Sequence, residues 1–289
     1  MEAGSLAKAA GSMNLPRSTV SKLLRDLESH LGVMLVSRST RATTVTPEGE
    51  AYYDKAISLL ADLDKMDAAA GGGAARPSGR LRVDVGSNIA NLILIPELPG
   101  FLKLYPDVEI VLGVADRAVD LISEGIDCVI RGGPLGDSTL IARRLCELDY
   151  VLCAAPSYAR GHGLPSTIEE LQHHRVLGYF SALTGASFPL RFRVDGERRE
   201  VRPPLMMSVN ESTAHMTSLL AGLGIGQTFE LFARPYLKDG RLIEALPDLQ
   251  PDPHPLNLLY PASRTPSAKL RVFADWAVQT FQRVSRKAG

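Results

Sequence analysis

Two short apolar-periodic segments open the chain, SLAKAAGSMNLPRSTVSKLLRDLE over residues 5 to 28, and the second holds the side chains best suited to chemistry. Arg17, Ser18, Thr19, Ser21, Lys22 and Arg25 fall on the face away from its leucines. Short hydroxyls beside long cations suit a nucleic-acid duplex: Ser and Thr reach phosphates or base edges, while Arg and Lys neutralise phosphate or read guanine. The local charge agrees. Residues 1 to 45 hold six cations against three anions, although the whole chain of 289 residues is formally neutral. Attraction for a polyanion is therefore concentrated at this end.

A second set of candidates lies in VDVGSNIANLILIP, where a strand ends at Gly86 and a helix begins near Ser87. The amides of Ser87 and Asn88, with the Ser87 hydroxyl, would meet an anion such as a carboxylate at the positive end of that helix. Plain N-capping by Ser87 is an equal reading, and one serine can do both. Arg131 ends the run DCVIR ahead of Gly132 and Gly133, where it could meet a ligand or serve a structural salt bridge. Thr228 and Phe229, following GLGIGQ, are weaker candidates.

Other chemistry finds little support. His173 and His174 have no nearby Cys/His ligand set, so no metal is expected. Cys128, Cys146 and Cys153 form neither a CxxC pair nor a disulfide framework, which suits a reducing compartment. The glycines of AGLGIG follow a helix and lead into a strand, the reverse of a dinucleotide fingerprint, so no cofactor is expected. A hydrolase or transferase is the enzymatic rival, and no GxSxG elbow supports it. No apolar run is long enough to span a membrane and no secretory signal is visible, so the expected location is cytoplasmic.

The elements that would position these residues follow from periodicity. Leu6, Ala9, Ala10 and Met13, then Val20, Leu23, Leu24, Leu27 and Leu31, recur at helical spacing on either side of the NLPR turn, a helix-turn-helix pattern. Beyond it Arg38 and Arg41 flank a turn between β-prone runs and read as a basic wing. Thr46 can cap a further helix whose first turn suits Pro47. Along that helix Tyr52, Ala56, Leu59, Leu63, Met66 and Ala70 keep the spacing of a two-stranded seam. Packing of this helix on its own domain is the alternative; a dimer is favoured. GGGAARPSG, residues 71 to 79, breaks the helix and forms a hinge. Afterwards short β-rich runs at 81–85, 108–114, 127–131, 150–155, 224–229 and 256–261 alternate with helix-like stretches at 89–104, 212–221 and 266–285, which predicts an α/β fold.

EAGSLAKAA, STVSKLLRDLE, LGVMLVSRSTR and TPEG together resemble the DNA-binding head of LysR-type transcriptional regulators. The resemblance continues through SGRLRVDV, LPGFLKLYPDVEI, IDCVIRGG, AGLGIG and KLRVFADWAVQTF, in order, over nearly the whole chain. It implies a winged helix-turn-helix domain over residues 1–46, a linker and dimerisation helix over 47–70, a hinge over 71–79 and an effector-binding domain over 80–289. That last domain would be two-lobed and periplasmic-binding-protein-like, with lobe I about 80–150 and 251–289 and lobe II about 151–250. Base and phosphate contacts carry over onto Arg17, Ser18, Ser21, Lys22, Arg38 and Arg41. By family position Tyr179, Ser181 and Asn210 fall near the effector cleft.

The implied partners are double-stranded promoter DNA, a small-molecule effector with an anionic group, a second copy or three further copies of the chain, and RNA polymerase. No membrane and no enzymatic role are expected. The family usually has Phe where Val36 stands and carries another helix ahead of residue 5. For the chain as written the expectation is a shortened head, with a small-molecule receptor of weak or lost DNA binding as the alternative.

Overall fold

The computed structural model describes residues 9–11, 15–38, 43–53, 55–56, 59, 76–122, 124–133, 140–262 and 266–286. Helix α1, Arg17–Leu31, starts against Pro16, whose carbonyl accepts the amides of Thr19 and Val20. It ends at Gly32, whose amide returns to the Glu28 carbonyl. The Glu28 carboxylate then reaches forward to accept the amides of Leu35 and Val36 at 2.9 and 3.0 Å. That clamp fixes the end of α1 to β1 (Val36–Arg38), which pairs antiparallel with β2 (Thr43–Val45) as a two-stranded wing.

Thr46 caps the next helix as its position predicts. Its hydroxyl accepts the Gly49 amide at 3.0 Å and donates to the Met34 carbonyl at 2.6 Å. Residues 47–53, 55, 56 and 59 are helical, and Leu59 is 69% exposed along the expected seam. Leu63, Met66 and Ala70 lie outside the described residues. One expectation fails in detail. Leu23 is 54% exposed rather than part of the apolar stripe, because a helix turns by about 100° per residue and this places it at the edge of a stripe centred on Leu24, Leu27 and Leu31.

Two five-stranded sheets build the rest. β3 (Gly79–Val85) runs into α2, a continuous helix formed by Ser87–Ile89, a π-helical turn Ala90–Leu94 and Ile95–Leu104. β4 (Val108–Val114), β5 (Cys128–Gly132) and β6 (Leu140–Leu148) follow. With β14 (His254–Pro261) they give the strand order β4-β3-β5-β14-β6, β3 pairing in parallel with β4 and β5. The chain then crosses at Asp149 into β7 (Tyr150–Ala154), followed by α3 (Pro156–His162), β8 (Val176–Tyr179), a hairpin of β9 (Leu190–Val194) and β10 (Glu197–Val201), and β11 (Leu205–Val209). α4 (Ser212–Leu220), β12 (Ile225–Phe229), α5 (Glu230–Lys238) and β13 (Ile243–Ala245) complete the second sheet, ordered β11-β8-β12-β7-β13.

The chain returns at His254 and ends in α6 (Ala268–Arg286). Phe273 and Ala277 of α6 are fully buried, Phe273 meeting Phe101 of α2 edge-on at 5.5 Å between ring centres. Each sheet thus has helices against it, the arrangement that α/β alternation in the sequence predicts. The three cysteines are free and buried; burial pushes the Cys146 thiol up to about 11 and the Cys153 thiol up to about 12. They stay protonated and behave as small apolar residues.

Candidate functional site

Strand ends of the two sheets face each other across a cavity of about 450 Å³. The first sheet supplies Asn88 and Ile89 at the start of α2, Asp116 beyond β4, Arg131 and Gly132 from β5, and His254 and Leu256 from β14. The second supplies Tyr150, Leu177, Tyr179, Gln227, Phe229 and the α4 residues Ser212 and His215, and the β9–β10 hairpin adds Leu190 and Arg191. Asp116, Arg131, Tyr179 and Phe229 stand at the carboxyl ends of their strands, where ligand sites in open α/β sheets collect, and Tyr150 and His254 at the amino ends of theirs.

At one end of the cavity the N-termini of α2 and α4 meet, and Asp116 sits between them. One carboxylate oxygen accepts the Ser87 amide at 3.0 Å, the other the Ser212 amide at 2.5 Å. The Tyr179 hydroxyl is hydrogen-bonded to the same carboxylate; burial, and then that negative charge, push the phenol well above its ordinary range. Asn88 ties the helices directly, donating its amide to the Ser212 hydroxyl at 3.0 Å and its side chain to the Ser212 carbonyl at 3.2 Å. Burial would lift Glu211, yet hydrogen bonds from the Ser87 hydroxyl and the amides of Thr213 and Ala214 hold it below its usual value. Two helix dipoles are thereby balanced by carboxylates of the chain itself.

Arg131 braces this end. Its guanidinium pairs with Asp84 and also donates to the carbonyls of Ile130, Ala115 and Arg117, so it grips the segment carrying Asp116. Burial raises the Asp84 carboxyl above its usual value, and Arg131 offsets part of that. At the opposite end Tyr150 hydrogen-bonds His254 Nδ1 at 3.1 Å and accepts from Arg191 at 3.4 Å, while His254 donates its other ring proton to the Gly132 backbone. That chain of groups spans both sheets where the polypeptide crosses between them.

Comparison with known proteins now settles the family. Residues 1–50 match the bacterial regulatory helix-turn-helix protein, lysR family, and residues 74–282 match the LysR substrate binding domain. An HTH-type transcriptional repressor of Pseudomonas aeruginosa is 36% identical over 97% of this chain and 89% of its own. The uncharacterized regulator YhjC of Escherichia coli is 38% identical over 95% and 92%. The solved structure of CrgA, a LysR-type transcriptional regulator from Neisseria meningitidis, superposes with a TM-score of 0.65 at 28% identity, covering 97% of this chain and 95% of that one.

The chain is a LysR-family transcriptional regulator.

In this LysR regulator Arg17, Ser18, Lys22 and Arg25 are exposed on α1, with Thr19 and Ser21 partly so. Arg38 closes β1, and Arg41 lies outside the described residues. Of the effector-site candidates, Asn88, Arg131, Gly132, Tyr179, Thr228 and Phe229 line the cavity. Ser87, Ser181 and Asn210 do not line it. Ser87 is buried as the first residue of α2, after Gly86 at the cap position, and its amide is taken by Asp116; its hydroxyl does not cap the helix, and the residue cannot greet an incoming anion. The Ser181 hydroxyl accepts the amides of Leu183 and Thr184 inside its own turn. Asn210 is exposed beyond β11.

Sequence reading missed Asp116, Tyr150, Arg191, Gln227 and His254. For Asp116, Tyr150 and His254 the signal was positional, each standing at or just beyond the end of a strand, whereas Arg191 and Gln227 lie inside β9 and β12. Among the described residues no cluster of acidic, Cys and His side chains could hold a metal, and no helix is long and apolar enough to cross a membrane.

The cleft histidines give a pH expectation. Burial lowers His215; burial and then the Arg191 charge lower His254. The native state therefore binds fewer protons than the unfolded chain just below the ordinary histidine value of 6.5. Stability is fully present above that value and is lost as pH falls toward the native values. Urea midpoints should drop between about pH 7.5 and about pH 5.5, with a smaller drop in His254→Gln. A midpoint that rises on acidification contradicts this assignment.

Proposed function

We propose that α1 enters the major groove of promoter DNA and that a small molecule held between the two sheets sets how the paired chains bend or release it. The carrying observation is the outward position of Arg17, Ser18, Lys22 and Arg25 on one helix braced by a wing. Thr19, Ser21, Arg38 and Arg41 complete the proposed DNA contacts. The 47–70 helix pairs copies of the chain as a dimer, or two dimers as a tetramer, and RNA polymerase is the downstream partner in the cytoplasm. The domain limits are those of the sequence: head 1–46, linker 47–70, hinge 71–79 and receptor 80–289. The cleft acts by binding rather than turnover, through a ligand that prefers one arrangement of the lobes and shifts the population toward it.

The test is fluorescence anisotropy of the full chain on DNA adjacent to its own gene and on random DNA. Preference for the former is expected, and equal affinity for both defeats the regulator reading and leaves a paired receptor. In the same assay Lys22→Ala should weaken binding to all sequences and reduce the slope of log affinity against log salt by about 1. An unchanged slope removes Lys22 from the phosphate contacts.

A further inference from the structure

Effector chemistry can be read from what the cleft leaves unsatisfied. Two helix N-termini pointing into one cavity would ordinarily form an anion seat. Here Asp116 fills it, with one oxygen on each helix and the Tyr179 hydroxyl as a third donor. Asn88 spends its backbone and side-chain donors on Ser212, and its side-chain oxygen accepts from Thr213. Gln227 clamps the Arg191 backbone in both directions, accepting its amide at 3.0 Å and donating to its carbonyl at 2.7 Å. Arg131 commits its two terminal nitrogens to Asp84 and three carbonyls, while its buried Nε has no partner among the described residues. Tyr150 and His254 are committed to each other, with Arg191 and Gly132 at the two ends.

Apart from the Arg131 Nε and the Thr228 hydroxyl, what remains facing the cavity is mainly carbon. Ile89, Leu177, Leu190, Phe188, Phe229 and Phe232 supply it, aromatic residues making up half of that set. A free anion entering here meets the Asp116 charge where its own charge should sit. A cation meets two helix N-termini with Arg131 and Arg191 beside them, and the nearest carboxylates are already paired. Arg191 stands near the rim with Glu200 at 3.5 Å, so its charge is balanced too.

We infer that this cleft takes an uncharged, mainly apolar, ring-bearing small molecule, with the Asp116 carboxylate standing permanently in the place of an effector's anion. The inference rests on the effector cleft proposed above and narrows its ligand class. It also replaces the anionic effector that the helix start at Ser87 suggests from sequence. A cavity of about 450 Å³ accommodates two fused rings with a further ring attached.

The test uses two dyes that share a skeleton and differ by one charge: N-phenyl-1-naphthylamine, which is neutral, and 8-anilinonaphthalene-1-sulfonate. Each is titrated into the full chain and into Thr228→Trp, which fills the cavity from β12. The neutral dye should bind at least about tenfold more tightly than its sulfonate, a gap of about 1.4 kcal/mol. Thr228→Trp should abolish the neutral dye's signal, and Asp116→Asn should narrow the gap by relieving the repulsion. If the sulfonate binds the cavity as tightly as the neutral dye, the assignment of charge class is overturned while the effector cleft itself stands. If neither dye responds to Thr228→Trp, the cavity is not a ligand site and the cleft reading falls with it. Failure of the head to bind DNA would touch neither result.

Discussion

Arg131→Leu should destabilise the receptor by about 3–5 kcal/mol, more than any other single change in the cleft. The arginine is four-fifths buried and pairs with an Asp84 that is nine-tenths buried. Removing one partner of such a pair leaves the other charge uncompensated, or forces it to take up a proton. The damage extends past the pair because the same guanidinium holds the carbonyls of Ala115 and Arg117. Those two residues bracket Asp116, so losing Arg131 also loosens the carboxylate that joins α2 to α4.

Urea unfolding of Arg131→Leu and Asp84→Leu, singly and together, separates the two contributions. The double variant should recover part of the loss, since an apolar pair of similar volume replaces a buried ion pair at little cost. Both Arg131→Leu and the double variant should prefer the neutral dye less strongly than the parent chain, because Asp116 would remain ungripped in each. Additive losses in the double variant would show that the pair is not coupled and would refute this account.

The sequence was most legible where periodicity and burial agree. β4 was read to the residue, and α2, α4 and α6 within a few residues, because each buries one side against a sheet. β6 escaped notice. Its centre is Arg143-Arg144, tolerable only because β6 is an edge strand and Arg143 reaches Asp275 of α6 at 2.7 Å. The β9–β10 hairpin was missed for a related reason. Asp195-Gly196 is a strong two-residue turn, both residues at positive φ, but its strands are so charged that the apolar alternation is masked.

For the cleft, residues near helix starts were visible because caps have a local sequence signature. Asp116, Tyr150 and His254 have none. His254 and Tyr150 are brought together only by the two crossings between the sheets, and Asp116 only by the abutting starts of α2 and α4. The helix start at Ser87 was located correctly, and the Asp116 carboxylate on its amide was not foreseen. Local sequence predicts that a positive helix end needs an anion, and only tertiary structure tells whether the chain supplies that anion itself.

In the head, the largest effect should come from Gly49→Val. A Cβ at this position would stand 2.1 Å from the Leu35 carbonyl oxygen and 2.9 Å from a Val45 methyl. The first obstacle is backbone, so it cannot swing aside as a side chain would. That carbonyl already accepts the Thr46 amide at 3.1 Å, and Leu35 is held from its other side by Glu28. Relief therefore requires the linker helix to move away from the wing or the wing away from α1. Overpacking of this severity should cost the head about 3 kcal/mol or more, a shift of roughly a hundredfold in its folded population. DNA affinity should fall accordingly, while the thermal transition of residues 80–289 and the dye binding of the cleft stay as in the parent chain. Glu50→Ala, one residue on and exposed, provides the control and should leave both readouts unchanged. If Gly49→Val retains full DNA affinity, the packing of TPEG against the wing is not what holds α1 in place.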